Sequence, residues 1–170
     1  MSISPYVAAL RARVGSSRLL LPSVTGIVYD SLDGILLVRQ RDGAIWSTPG
    51  GVIEPDETPA EAVVREVREE TGLAVQPERI LGVFGGPAFV VRYPNGDETQ
   101  YVMVVFDCKV VGGQLRHDTD ETIEARFVAA GEFDRLQASS WTREVLPSLY
   151  TRPDRALFLP ARTAGPTLSS

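Results

Sequence analysis

The chain has 170 residues, of which 44% are hydrophobic and 23% are charged, and its formal net charge is −5. These values fit one soluble domain with an ordinary core, and the acidic balance without a basic run argues against nucleic acid as a partner. Cys108 is the only cysteine, which excludes an intrachain disulfide and argues against a thiolate metal cluster. Without a membrane-length apolar run or a secretory pattern, we expect a cytoplasmic protein and no membrane partner.

The N-terminal segment is predicted to form a short amphipathic helix. Residues 5–14 place Val7, Leu10 and Val14 on one side of such a helix. We therefore expect residues 1–20 to form a helical extension ahead of the main domain.

A β-hairpin is predicted to follow this extension. Residues 24–29 and 35–41 are rich in β-formers, and the intervening residues 30–34 contain the Asp and Gly typical of a turn. Residues 46–51 are predicted to form a loop, whose two glycines allow its backbone to approach a ligand closely.

The best-defined helix is predicted to begin at Thr58 and to end at Gly72. Thr58 is the expected N-cap, with Pro59 at the first helical position and Glu61 completing a capping box. Gly72 suits the left-handed position that ends a helix. One apolar stripe is expected along this helix, made of Ala60, Val63, Val64 and Val67.

Three carboxylates on this helix indicate a metal site. Glu66, Glu69 and Glu70 are spaced so that their like charges repel, and they are predicted to border the apolar stripe. Arg65 and Arg68 are expected on the far side. A divalent cation such as Mg²⁺ would offset the repulsion, because Mg²⁺ prefers carboxylate oxygens and substrate phosphates.

The second half of the chain alternates strands with short helices. Strands are predicted at residues 80–84, 88–93, 101–111 and 123–128, and helices near 131–136 and over 140–149. This mixture predicts an α/β protein with a mixed β-sheet, whose domain covers residues 21–150. Residues 151–170 are expected to form an irregular tail.

The segment from Gly51 to Leu73 resembles the Nudix box in full. Gly51 is followed after five residues by Glu57, and after seven more by the sequence REVREETGL, which ends at Leu73. The resemblance implies a Nudix-like α/β/α sandwich. It also implies Mg²⁺-dependent hydrolysis of the pyrophosphate linkage in a nucleoside diphosphate derivative, with Mn²⁺ as a substitute cation.

The same resemblance implies roles for individual residues. The carboxylates of Glu66, Glu69 and Glu70 and the carbonyl oxygen of Gly50 would bind metal, while Glu57 would pair with Arg65 and position Glu66. The general base is left open between Glu69 and a later loop acid, for which Glu121 in the acidic run 118–121 is the best choice. A base must reach the attacking water, so geometry decides between them.

Residues outside the carboxylate cluster are weaker candidates for substrate contact. Gly51 would let the loop approach the diphosphate, and Arg39 and Arg41 are predicted to share one strand face from which they reach phosphate. Trp46 and Arg92 could contact the nucleoside, although Trp46 is expected to be a packing residue rather than a base-stacking one. Gly72 and Glu57 are assigned structural roles.

The substrate and two other functions stay open. An ADP-ribose-type compound, a nucleotide sugar and a nucleoside triphosphate are all candidates, and Pro87 lies near the position of a proline typical of relatives that cut ADP-ribose. The chain could instead be a non-catalytic nucleotide sensor, or an enzyme like isopentenyl diphosphate isomerase, which would need Cys108 in its active site. Assembly as a homodimer is left open.

Overall fold

The structure is a computed structural model that describes residues 4–41, 45–119 and 121–161. The end of the predicted irregular tail, residues 162–170, therefore lies outside the described residues, as does Asp120 of the predicted acidic run. From Tyr150 to residue 161 the backbone is irregular apart from an isolated bridge between Leu157 and Gly82.

The described strands form two sheets. The larger is mixed, with β1 and β7 parallel and the other pairs antiparallel; it contains β1 (Leu19–Ile27), β4 (Gly50–Val52), β5 (Leu73–Phe84), β6 (Val90–Arg92) and β7 (Glu98–Gly113). The smaller is antiparallel and contains β2 (Ile35–Gln40), β3 (Trp46–Ser47) and β8 (Thr122–Val128). The predicted α/β architecture with a mixed sheet is confirmed.

The helices cover both sides of these sheets. They are α1 (Pro5–Val14), α2 (Pro59–Thr71), α3 (Ala130–Phe133) and α4 (Ser140–Leu149), with a 3₁₀ turn at Pro87–Phe89. Both sheets contribute to two apolar clusters. One contains Val63 and Val67 of α2, and the other contains Leu146 and Leu149 of α4. Two helical layers therefore enclose the strands, which brings α2 against β4. Residues 46–51, predicted to form a loop, contain β3 and the start of β4, and this segment is called the glycine loop below.

Helix α1 has the predicted bounds but is not packed as predicted. None of its residues, all of which the structure describes, is buried, and Val14 is exposed. Its anchor is Arg11, which donates hydrogen bonds to the Glu98 carbonyl (2.7 Å) and to Thr99 Oγ1 (2.8 Å). The predicted side therefore faces the domain in part: Val7 and Leu10 are half-buried beside the half-buried Arg11, whereas Val14 is exposed.

Candidate active site

Helix α2 begins and ends where its sequence predicts. Thr58 Oγ1 accepts a hydrogen bond from the Glu61 amide, and Glu61 accepts one from the Thr58 amide, which forms the capping box. Gly72 ends the helix with φ +75°, a left-handed conformation that favours glycine. The helix thus runs without a break through the three carboxylates of the box.

The buried side of α2 contains two of these carboxylates. Ala62, Val63 and Val67 pack in the core, whereas Ala60, predicted to be in the stripe, is exposed at the first turn. Glu66 and Glu70 lie within the buried arc, with only 8% and 1% of their surfaces exposed. Burial of two neighbouring carboxylates is costly even where one of them pairs with an arginine, so this position needs a chemical reason.

Glu70 connects the helix to the glycine loop. Its Oε2 accepts a hydrogen bond from the Gly50 amide (2.9 Å). Burial raises the pKa of Glu70 well above its ordinary value, the hydrogen bond from Gly50 opposes that rise, and the negative charges of Glu66 and Glu121 add to it. Three carboxylates, from two different elements, are therefore electrostatically coupled.

Glu66 faces the same loop. Burial raises its pKa to about 7, although its hydrogen bond with Arg65 lowers the pKa and the charges of Glu69 and Glu121 raise it again. A Cβ added to Gly51 would collide with the Glu66 carboxylate. A Cβ on Gly50 would likewise collide with the Val24 carbonyl oxygen. The two glycines are thus required by close approach, which keeps the carboxylates against the loop backbone.

Arg65 joins the loop to the helix. It binds Glu57 through two hydrogen bonds of 2.8 and 2.9 Å, donates to Glu66 Oε1 at 2.7 Å, and contacts the Val52 carbonyl at 3.1 Å. The hydrogen bonds from Arg65 lower the pKa of Glu57. Arg65 was expected on the far side of α2. It does not lie there, because these acceptors draw its guanidinium across the helix toward the loop.

Glu69 differs from the other two box glutamates. More than half of its side chain is exposed (54%), and it accepts only a longer hydrogen bond from Arg65 (3.3 Å). Its charge raises the pKa of Glu66, so the two carboxylates act on one another. Glu69 therefore presents its oxygens to solvent at the margin of the buried pair.

The loop that precedes β8 brings Glu121 to this cluster. The neighbouring Thr122 donates a hydrogen bond from Oγ1 to the Glu70 carbonyl (2.9 Å), and its side chain is completely buried. Thr122 is not among the residues predicted from the sequence. A signal was present, since Thr119 and Thr122 have the spacing of hydroxyls that cap a tight turn.

Arg39 and Arg41 contact different acidic partners. Strand β2 ends at Gln40, so Arg41 lies just beyond it, and the register shift between Arg39 and Gln40 skips Ile123 of β8. Arg39 forms an ion pair with Glu124 (3.6 Å). Arg41 instead turns to the loop before β8, where its Nη2 lies 2.5 Å from Asp118 Oδ1. A phosphate contact by either arginine stays a prediction.

Trp46 and Arg92 lie away from the buried carboxylates' hydrogen-bond network. Trp46 is 6% exposed and its ring is covered by the Arg126 guanidinium, 4.9 Å from the ring centroid, which is the packing role. Arg92 is largely exposed and donates to Glu98 Oε1 (2.6 Å). A substrate contact for either residue stays a prediction.

An open groove runs along the exposed side of α2. Its volume is about 1130 Å³, and its lining includes Glu57, Arg65, Glu69, Arg68 and Arg116. The buried pair does not line this groove, whereas Glu69 and Arg65 do. The groove therefore borders the carboxylate cluster and offers cationic side chains next to it.

The donor set suits Mg²⁺ even though it is not a closed metal cage. Among the residues that the structure describes, no three His, Cys, Asp or Glu side chains converge closely enough to hold a metal by themselves. Mg²⁺ commonly uses one or two carboxylates and completes its shell with water and substrate phosphate. The buried, mutually repelling pair Glu66 and Glu70 fits that need, because a cation would offset their charge.

Comparison with known proteins identifies the family. A family model described as the NUDIX domain matches residues 19–149, and the chain belongs to this family. The resemblance predicted from the box is thereby confirmed, and so is the fold. Among the described residues, no helix is both long and apolar enough to cross a membrane.

Two relatives match a large part of the chain. An ADP-ribose pyrophosphatase of Methanocaldococcus jannaschii is 35% identical over 117 residues, which are 67% of this chain and 64% of that protein. A MutT-like protein of Streptomyces ambofaciens is 37% identical over 100 residues, or 59% of this chain and 58% of that protein. The matched region thus spans less than two thirds of each of these relatives.

A solved structure is similar over more of the chain. It is described as a UDP-X diphosphatase, it is 26% identical, and it superposes with a TM-score of 0.69 over 94% of this chain and 76% of its own. The names of these relatives agree with the prediction of a pyrophosphohydrolase.

Proposed function

We propose that the chain is a Mg²⁺-dependent hydrolase that cleaves the pyrophosphate linkage of a nucleoside diphosphate derivative. The observation that carries this proposal is the position of Glu66 and Glu70, buried beside the Gly50–Gly51 loop inside a complete Nudix box. Buried carboxylates whose charges repel one another, next to glycine backbone without side chains, suit a site that receives a cation together with phosphate oxygens.

Cleavage of a phosphoanhydride requires water to approach phosphorus through a shell of negative charge. Bound Mg²⁺ would neutralise that charge and make a coordinated water more acidic. Glu66, Glu69, Glu70 and the Gly50 carbonyl would hold the cation, with Mn²⁺ as a substitute. Arg65 would hold Glu66 in place through its anchor on Glu57, and Gly51 would leave room for the diphosphate beside the loop.

Two carboxylates compete for the role of general base. Glu121 is our first choice, since its charge acts on both Glu66 and Glu70 while it belongs to another element. Glu69 is the alternative, because its exposed oxygens can reach a water at the edge of the cluster. A base must lie within hydrogen-bond reach of the attacking water, and kinetic comparison of Glu121→Gln with Glu69→Gln separates the two.

Cys108 argues against an isomerase-like reaction. Its side chain is buried in the core beneath α2, and burial raises the pKa of its thiol to about 12. A thiol in such a position stays protonated and cannot reach a substrate at the glycine loop. A sensor without catalysis is disfavoured because every carboxylate of the box is present.

The substrate is proposed as a class. The names of the similar proteins, an ADP-ribose pyrophosphatase and a UDP-X diphosphatase, support a nucleoside diphosphate linked to another group. ADP-ribose and nucleotide sugars therefore come first, followed by nucleoside triphosphates. A homodimer and a cytoplasmic location stay predictions.

The experiment is a panel of these nucleotides incubated with the purified chain and Mg²⁺ or Mn²⁺, with every product identified. We expect at least one compound to give two phosphate-containing products, and we expect chelation of the metal to stop the reaction. Folded protein that cleaves no member of the panel with either cation would contradict the proposal.

A further inference from the structure

Arg41 holds together the loop that carries Glu121. Its Nη2 donates to Asp118 Oδ1 (2.5 Å), to the Thr119 carbonyl (2.8 Å) and, at 3.4 Å, to the Thr122 carbonyl. Its own amide donates to the Glu121 carbonyl (2.9 Å). One residue at the end of β2 thus contacts the residues on both sides of Glu121.

Two hydroxyls tighten the same loop from inside. Thr119 Oγ1 accepts hydrogen bonds from the Glu121 amide (3.3 Å) and the Thr122 amide (3.1 Å), and it lies 2.9 Å from Thr122 Oγ1. The Thr119 amide donates to the Thr122 carbonyl (2.9 Å). The backbone amide and carbonyl of Glu121 are therefore both engaged, which restricts the directions that its side chain can take.

The loop is also fixed to the box helix. Thr122 Oγ1 donates to the Glu70 carbonyl, while the Glu70 carboxylate accepts from Gly50. A continuous series of hydrogen bonds consequently runs from Arg41 through Thr122 to Glu70 and the glycine loop. Displacement at Arg41 would be transmitted to the separation between Glu121 and the metal-site carboxylates.

We propose that Arg41 is a positioning residue, which fixes the Glu121 loop against α2 rather than binding a substrate phosphate. This inference rests on the proposed function, since it assigns Glu121 a part in hydrolysis. The Nη2 atom of Arg41 is aimed at Asp118 and two carbonyl oxygens, so this end of the guanidinium is already bound within the loop. Arg41 therefore acts on the rate through Glu121.

Kinetics of four variants test this assignment: Arg41→Ala, Arg41→Lys, Glu121→Gln and the double variant Arg41→Ala/Glu121→Gln. We expect Arg41→Ala to lower kcat at least about tenfold and to leave KM within about twofold. Arg41→Lys should recover part of the rate, because an ammonium can still bind Asp118 or one carbonyl. The double variant should be no slower than Glu121→Gln within about twofold, because both changes act through one group.

Arg152→Ala is the matched control. Arg152 has the same side-chain exposure as Arg41 (48%) and also pairs with an exposed aspartate, Asp33, at 2.7 Å, but it lies at the other end of β2. It should keep wild-type kcat and KM. The proposal is overturned if Arg41→Ala keeps the wild-type kcat, whether its KM is unchanged or at least about tenfold higher. It is also overturned if the loss of kcat in the double variant equals the product of the losses in the two single variants.

Hydrogen exchange without nucleotide separates this proposal from the proposed function. Arg41→Ala should speed exchange at the amides of Glu121 and Thr122, and Arg152→Ala should not. Unchanged exchange in Arg41→Ala overturns the positioning role whatever the activity. If the wild-type chain cleaves no nucleotide, the proposed function fails, and faster exchange in Arg41→Ala still supports Arg41 as the residue that holds the loop.

Discussion

The buried carboxylate of Glu66 should make the metal-free protein lose stability as the pH rises. Its pKa is raised from the ordinary 4.5 to about 7, mainly by burial. The folded state therefore binds a proton that the unfolded state releases in this range. The stabilisation is present in full below the unfolded pKa and is lost as the pH rises through the folded one.

The size of this effect follows from the shift in pKa. At about 1.4 kcal/mol per unit, the change from 4.5 to about 7 corresponds to about 3 to 4 kcal/mol. Most of this loss should fall between about pH 5 and pH 7. Glu66→Gln removes the ionisation while it retains the shape of the side chain, so this variant should lack that part of the pH dependence.

Urea unfolding of wild type and Glu66→Gln in the presence of a chelator measures the difference. We expect the free energy of unfolding of the variant to gain about 3 to 4 kcal/mol relative to wild type from acidic to mildly basic pH. Saturating Mg²⁺ should offset the loss in wild type, by about 2.7 kcal/mol at a hundred times Kd, and should do less for the variant. Parallel pH profiles for the two proteins would refute the reasoning.

Two substitutions test the supports of the site. Gly51→Ala places a methyl group against the Glu66 carboxylate, so the rate of hydrolysis should fall at least about tenfold. Gly85→Ala is the control and should keep its activity in the same assay, because its added Cβ meets its nearest atom at an ordinary 3.5 Å. Glu57→Gln removes the charged acceptor of Arg65, and urea unfolding should give a loss of about 1.5–3 kcal/mol; a loss below about 0.5 kcal/mol would mean that the pair is not structural.

The helix that carries the site could be predicted in detail because its signals are local. Thr58, Glu61 and Gly72 fix the ends of α2, and helical periodicity brings Glu66 and Glu70 to one side. The full burial of Glu70 depends on the approach of the Gly50 loop and of Thr122, both from other parts of the chain. The sequence pattern within α2 could not show that these two distant segments pack against Glu70.

Strand β5 shows where local pattern fails. It runs from Leu73 to Phe84, but only residues 80–84 were predicted to be a strand, because Pro77 and its polar neighbours lack the pattern typical of one. β5 lies at the edge of the larger sheet, where a residue without an amide donor is tolerated, and its pairing with β7 contains three register shifts. The proposed role of Arg41 was hidden for another reason, since its contacts lie in the loop before β8 and no local pattern around β2 indicates them.

The central claim is that the buried carboxylates of α2 serve Mg²⁺-dependent cleavage of a phosphoanhydride. The most direct test is the hydrolysis rate of wild type and Glu70→Gln over a range of Mg²⁺ concentrations, with the best nucleotide of the panel. The glutamine oxygen can still accept the hydrogen bond from Gly50, so the variant should remain folded by circular dichroism. We predict a rate at least about a hundredfold lower for Glu70→Gln, which is about 2.7 kcal/mol in activation free energy. An equal rate and an equal Mg²⁺ dependence in the two proteins would contradict the claim.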